Sequence, residues 1–256
     1  MGKIIAVANQ KGGVGKTTTS VNLTSALGEL GKKCLLVDID PQGNATSGMG
    51  IEKKRGKEAS SYELILGEVA ANSLIIETEF KNVWIIPASM ELAGAELELV
   101  NVEYRERRLK MALAAAREKF DFILIDCPPS LGLITINALT AADSVIVPIQ
   151  CEYYALEGLS QLTNTVSKVK RLYNEQLETE GVLMTMYDSR LNLTQEVAAQ
   201  VKKFFPRQVF KTVIPRAVRL SEAPSFGQPI NYFDKRSKGA DAYRSLAKEI
   251  IKKNRK

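Results

Sequence analysis

Residues 4–20 read Ile4-Ile5-Ala6-Val7-Ala8-Asn9-Gln10-Lys11-Gly12-Gly13-Val14-Gly15-Lys16-Thr17-Thr18-Thr19-Ser20. An apolar run meets a glycine-rich turn, and a helix-patterned stretch follows. That order of strand, loop and helix start is where a phosphate-binding loop works. The glycines Gly12, Gly13 and Gly15, with Val14 among them, let backbone N–H groups close around phosphate oxygens, and the new helix turns its positive end toward them. Lys16 would reach the β- and γ-phosphates, and Thr17, followed by Thr18, would offer a hydroxyl to Mg²⁺. The usual pattern fails at its first glycine, because Gln10 stands there. Lys11 adds a second positive charge at the loop mouth. The residues alone leave Lys11 between a solvated lysine and a phosphate contact.

Working outward, strand-like runs recur at 3–8, 34–38, 83–87, 121–126, 144–149, 181–186 and 209–213. Several are continuously apolar, such as Phe122-Ile123-Leu124-Ile125, as strands buried on both faces require. Helical patterns fall between them. Leu23, Ala26, Leu27 and Leu30 form one stripe, ended by Gly31, and Ala155, Leu159, Leu162, Val166 and Val169 form another. The alternation predicts an α/β fold: a doubly wound, mostly parallel sheet with helices on both faces. One domain over 1–256 is expected, because neither a repeat nor a composition break divides the chain. Residues 43–60, rich in Gly, Ser and Lys, read as a mobile surface loop.

Composition narrows the chemistry. The chain of 256 residues holds no histidine, so neither a Ser-His-Asp triad nor a Cys/His zinc site is available. Any metal should be a hard, oxygen-bound one. Cys34, Cys127 and Cys151 are scattered in or beside apolar runs and read as buried thiols of a reducing compartment. No apolar run approaches a membrane span, and the start lacks a signal-peptide pattern, so a cytoplasmic protein is expected. Net charge is +6, unevenly placed: residues 181–256 hold 16 Lys+Arg against 6 Asp+Glu, and the rest of the chain is net negative. A polyanion-binding face and a merely solvating surface are both compatible with that asymmetry.

In a doubly wound sheet the strand ends converge on one crevice. Thr17 follows the loop, Asp38 and Asp40 end one apolar run, and Asp126 ends another. Mg²⁺ takes few protein oxygens, several waters and substrate phosphates. Thr17 as direct ligand, with Asp126 holding a metal-bound water, meets that demand. An aspartate after a strand also serves as a turn former.

These motifs resemble the ParA/MinD family of ATPases with a deviant Walker A loop. The resemblance is carried by Asn9 through Thr18, by Val37-Asp38-Ile39-Asp40-Pro41-Gln42-Gly43-Asn44, by Ile123-Leu124-Ile125-Asp126-Cys127-Pro128-Pro129-Ser130 and by Val213-Ile214-Pro215-Arg216. They fall in family order along nearly the whole chain, and chromosomal ParA proteins of the Soj type are the most similar branch. The resemblance implies a P-loop NTPase fold, ATP as substrate with Mg²⁺, and an ATP-dependent homodimer. It implies that Asp40 orients or activates the attacking water and shares in holding metal-bound water, with Asp38 structural. It implies that Lys11 contacts nucleotide phosphates across the dimer interface and that Pro215 and Ala217 border the adenine.

The resemblance also implies non-specific DNA binding through Arg190 and Arg219, in loops after strands. Lys202 and Lys203 join them on a helix over 194–205 whose Val197, Ala198, Val201 and Phe205 face the core. No base-reading motif is present, so phosphate contacts to duplex DNA are expected. A ParB-type centromere-binding partner, stimulation of hydrolysis, chromosome or plasmid segregation and association with the nucleoid follow by resemblance. The rival is a MinD-like membrane switch. The last helix, Asp241 to Lys253, has a modest apolar stripe (Ala242, Leu246, Ile250) and neither Trp nor Phe, which favours packing on the sheet over membrane contact. The nitrogenase-reductase branch, with its iron–sulfur cluster, is disfavoured because the three cysteines do not form a suitable set.

Overall fold

Seven strands build one sheet in the order β3-β4-β2-β5-β1-β6-β7. They are β1 (Lys3–Val7), β2 (Cys34–Asp38), β3 (Ile76–Glu77), β4 (Val83–Ile86), β5 (Phe122–Asp126), β6 (Ser144–Gln150) and β7 (Glu178–Thr185). All pairings are parallel except β3 with β4 at one edge. The computed structural model describes residues 1–51, 60–152 and 155–255.

The strands are apolar throughout because both faces are covered. On β1, Ile4 and Ala6 enter one core while Ile5 and Val7 enter the other; on β5, Ile123 and Ile125 part from Phe122 and Leu124 in the same way. The period of two along each strand thus feeds two helix layers. The Lys16–Glu29 helix packs closely because Gly28 lacks a side chain: a Cβ there would lie 2.4 Å from the Lys81 carbonyl oxygen. Against this helix lies the Lys238–Lys253 helix, with Tyr243, Leu246, Ala247 and Ile250 buried in the same core as Leu23 and Leu27. Its apolar stripe is therefore covered by protein. It begins at Lys238 rather than Asp241, since Ser237 Oγ accepts the Ala240 N–H at 3.2 Å and caps it.

Several expectations need correction. Residues 209–213 do not form a strand. The segment runs beside β7, with Phe210 N–H donating to Val182 O and Ile214 N–H to Met184 O. But the Lys211 and Thr212 N–H groups donate instead to Glu249 of the last helix, at 2.9 and 3.1 Å, and the ladder breaks. Within 43–60, residues Asn44–Gly48 form a short helix with Ala45 and Thr46 buried, so that part is not a surface loop. Residues 52–59 of the same expectation lie outside the described residues. The short edge strand β3 carries no signal in two residues. The Ala155–Leu172 helix buries Leu159, Leu162 and Val169 as its stripe requires; the Ala155 side chain lies outside the described residues.

Candidate nucleotide-binding site

The sheet register places the acidic groups. Asp38 ends β2 directly beside Asp126, the end of β5, and Asp126 in turn pairs with Val7, the last residue of β1 before the loop. Beyond Val7 the chain needs left-handed backbone at Gly13 (φ 72°) and Gly15 (φ 85°), which only glycine adopts cheaply. Gly15 caps the Lys16–Glu29 helix, whose first turn faces the carboxyl ends of the strands.

Thr17 Oγ1 donates to Asp126 Oδ2 at 2.9 Å, and Ser20 Oγ donates to Asp126 Oδ1 at 2.7 Å. Asp126 is fully buried, and burial first, then the Asp38 charge, pushes its carboxyl well above the usual range. Asp38 is also fully buried and raised by burial, though Thr46 N–H and Oγ1 at 2.8 and 2.7 Å and Asp40 N–H at 3.1 Å stabilise its carboxylate. Two neighbouring buried acids are a standing electrostatic cost that a cation would relieve. Lys16 Nζ lies among them, only 6% of the residue exposed, and donates to Lys11 O at 3.1 Å. Burial lowers its pKa, against the pull of Asp126 and Asp40. Among the described residues no cluster of three or more acidic or cysteine side chains could hold a metal by itself. A hydroxyl and one buried carboxylate suit Mg²⁺ that brings its own waters and phosphates.

Around these groups opens a cleft of about 740 Å³, lined by Gly12, Gly13, Gly15, Lys16, Thr17, Thr18 and Asp40. Pro215 and Ala217 line its far side. Asp40 is buried at the cleft wall; its Oδ1 accepts the Gln42 N–H at 3.0 Å, which fixes the turn after β2. Val14, beside the loop glycines, is buried, and Thr185 Oγ1 donates to its carbonyl at 2.8 Å. Lys11 stands outside the cleft wall, half-exposed, its Nζ 3.2 Å from Glu152 Oε2. Sequence reasoning missed Gln42 and Asn44, which also line the cleft and close the aspartate motif, and Thr185 at the end of β7. A polar residue ending an apolar strand was the available signal for Thr185.

The four basic residues expected to meet DNA lie in separate local settings. Arg190 is 86% exposed, in the loop after β7, and forks onto Asp188 at 2.9 and 2.7 Å. This pairing holds the Asp188 carboxyl down to about 2. Lys202 and Lys203 project from the last turn of the Asn192–Phe204 helix, whose Val197, Ala198 and Val201 are buried. Arg219 is on a short helix, Val218–Glu222, and not in a loop; it donates to Glu222 at 2.9 Å and lies 3.5 Å from Asp234.

A parallel sheet with a glycine loop, a buried lysine and a Thr–Asp pair at its strand ends defines a P-loop nucleotide-binding protein of ATPase type. A family model described as an AAA domain matches residues 2–179. The chain is 60% identical to the sporulation initiation inhibitor protein Soj of Bacillus subtilis over 98% of both chains. It is 51% identical to the chromosome partitioning protein ParA of Myxococcus xanthus, over 99% of this chain and 89% of that one. A crystal structure of cobyrinic acid a,c-diamide synthase from Mycobacterium smegmatis, with bound ATP analogue and magnesium, superposes with a TM-score of 0.86 at 40% identity, covering 98% of this chain and 95% of that one. The cell division ATPase MinD of Pyrococcus furiosus superposes with a TM-score of 0.81 at 29% identity, over 98% and 99% of the two chains. The chain belongs to the Soj/ParA family of chromosome-partitioning proteins.

Proposed function

We propose that this protein is an ATP-driven DNA-partition switch. The observation that carries the reading is the convergence of the glycine loop, Lys16, the Thr17–Asp126 pair and Asp40 on one cleft, with Lys11 held just outside it on an exposed acidic partner. ATP·Mg²⁺ binds with its phosphates in the loop, Thr17 ligating the metal and Asp126 holding a metal-bound water. Pro215 and Ala217 flank the base. Asp40 orients the attacking water; phosphoryl transfer needs positioning and charge neutralisation more than a strong base. Two ATP-loaded subunits face each other, and Lys11 leaves Glu152 to neutralise the partner's phosphates, as an arginine finger acting in trans does.

The ATP dimer then coats nucleoid DNA without sequence preference, in the cytoplasm, through Arg190, Lys202, Lys203 and Arg219. A ParB-type protein bound at centromere-like sites stimulates hydrolysis and releases it, which moves chromosome or plasmid DNA. The names of the relatives support this reading, as does the charge of the C-terminal third. The covered last helix weighs against a MinD-like membrane role, and no described helix is long and apolar enough to cross a membrane.

The test is a mobility-shift series on two unrelated duplexes, with ATP, with ADP and without nucleotide, at several salt concentrations. Binding only with ATP, equal on both duplexes and falling steeply with salt, is expected. Nucleotide-independent binding, or preference for one duplex, contradicts the proposal.

A further inference from the structure

Beside Arg219 the surface holds a feature that charge does not explain. Phe226 ends the Ala223–Phe226 turn with 66% of its surface exposed. Its ring stacks on Phe233, centroids 5.0 Å apart and planes 29° apart. The Arg219 guanidinium lies 5.4 Å from the Phe233 centroid, within cation–π range. Farther along, Lys235 Nζ sits 5.9 Å over the Tyr232 ring. Lys235, Arg236 and Lys238 are exposed and, among the described residues, carry no ion pair.

The turn that presents Phe226 is fixed. Pro224 opens it, Gly227 (φ 62°) closes it, and the Gly227 and Gln228 N–H groups donate back to Pro224 and Ala223 carbonyls at 3.1 and 3.3 Å. Gly227 packs so tightly on Gly50 that a Cβ would lie 2.8 Å from the Gly50 Cα. An exposed aromatic ring on a rigid turn, stacked on a second ring beside Arg219, which Glu222 and Asp234 pair, and followed in the chain by the cations Lys235, Arg236 and Lys238, can meet nucleic acid through apolar contact as well as charge.

We propose that Phe226, backed by Phe233 and Arg219, packs against the sugar and base edges of bound duplex DNA and supplies a part of the affinity that salt does not screen. This rests on the partition reading above. It goes beyond it, because that reading makes the DNA contact purely electrostatic. Lys235, Arg236 and Lys238, exposed in the segment after Phe233, make a polyanion the occupant, and the platform is continuous with Arg219, whose ion pairs with Glu222 and Asp234 a phosphate would replace.

The experiment measures affinity of the full chain, with ATP and Mg²⁺, for a labelled duplex from about 50 to about 300 mM salt. For Phe226→Ala, Kd should rise about 5- to 30-fold at every salt concentration, the size expected for partial burial of a phenyl ring. The slope of log affinity against log salt should stay that of the wild type, because the slope counts phosphate contacts. Arg219→Glu should instead flatten the slope. Phe226→Trp should keep the affinity, and its fluorescence should change on adding duplex; the chain has a single other tryptophan, Trp84. Wild-type affinity in Phe226→Ala overturns the inference and leaves the partition reading standing. So does a loss matched by loss of the ATP dimer in light scattering, which would make Phe226 a subunit contact. A Phe226→Trp response to anionic phosphatidylserine vesicles but not to duplex overturns it in favour of a lipid surface. If the wild type itself fails to bind duplex with ATP, the partition reading falls and the inference with it.

Discussion

Lys11 Nζ lies 3.2 Å from Glu152 Oε2 of its own chain, with both side chains well exposed. A lysine that is to act across a dimer must first give up this partner. Exposed pairs are worth about 0–1 kcal/mol, so the restraint is slight and reversible. Glu152→Gln should therefore lower the ATP concentration for half-dimerisation by up to about 5-fold. Lys11→Ala should bind ATP as a monomer and fail to dimerise. Light scattering across an ATP titration reads both, and a stable ATP dimer of Lys11→Ala would return that residue to a solvated surface lysine.

Lys16→Ala removes the buried cation of the loop. Charge-assisted hydrogen bonds contribute about 1.5–3 kcal/mol each, so ATP affinity should fall by roughly 10- to 100-fold or more. Calorimetry measures it, and unchanged affinity would take Lys16 out of the phosphate site.

Asp126 and Asp38 are adjacent, buried and both raised by burial. Replacing one acid by a neutral isostere removes that cost while keeping an acceptor for Thr17 or Ser20. Nucleotide-free Asp126→Asn should melt higher than the wild type, by about 2–4 °C for each 1 kcal/mol relieved. With ATP and Mg²⁺ the order should reverse, because the metal-water contact is lost. Thermal melts in the two conditions check it; a lower melting temperature without nucleotide would contradict the electrostatic account.

Arg190 is engaged by Asp188 before any phosphate arrives. Asp188→Asn should release it and raise DNA affinity a few-fold, most visibly at low salt. The pH dependence has a defined sign. The Asp188 carboxyl, held down to about 2 by Arg190, contributes stability that is present above the ordinary carboxylate range and lost as pH falls toward 2. If Arg190 moves to a phosphate, that carboxyl should titrate higher in the DNA complex. Carboxyl NMR titration with and without duplex measures the shift, and an unmoved Asp188 would mean that Arg190 stays where it is.

Much of this was legible in the sequence. Buried parallel strands announce themselves as apolar runs, and β2 and β5 fall where those runs do because both faces are covered. The loop could be read because only glycine serves at Gly13 and Gly15. What escaped depended on partners distant in the chain. Glu249 captures two N–H groups that local pattern assigned to a strand at 209–213. Thr46 enters a helix because buried Asp38 needs its hydroxyl. The pairing of Arg190 and Arg219 with carboxylates and the stacking of Phe226 on Phe233 likewise needed coordinates.

ATP should hold two subunits together until hydrolysis positioned by Asp40 releases them. Asp40 sits in the cleft wall, where its carboxylate accepts the Gln42 N–H, and the turn around it is also held by backbone bonds to Asp38 and Gly43 that an alanine keeps, so Asp40→Ala should spare nucleotide binding while slowing turnover sharply. The direct measurement is light scattering of Asp40→Ala with Mg²⁺ and either ATP or ADP. A long-lived dimer with ATP and a monomer with ADP are expected. A monomer in both, or a dimer indifferent to nucleotide, would contradict this expectation.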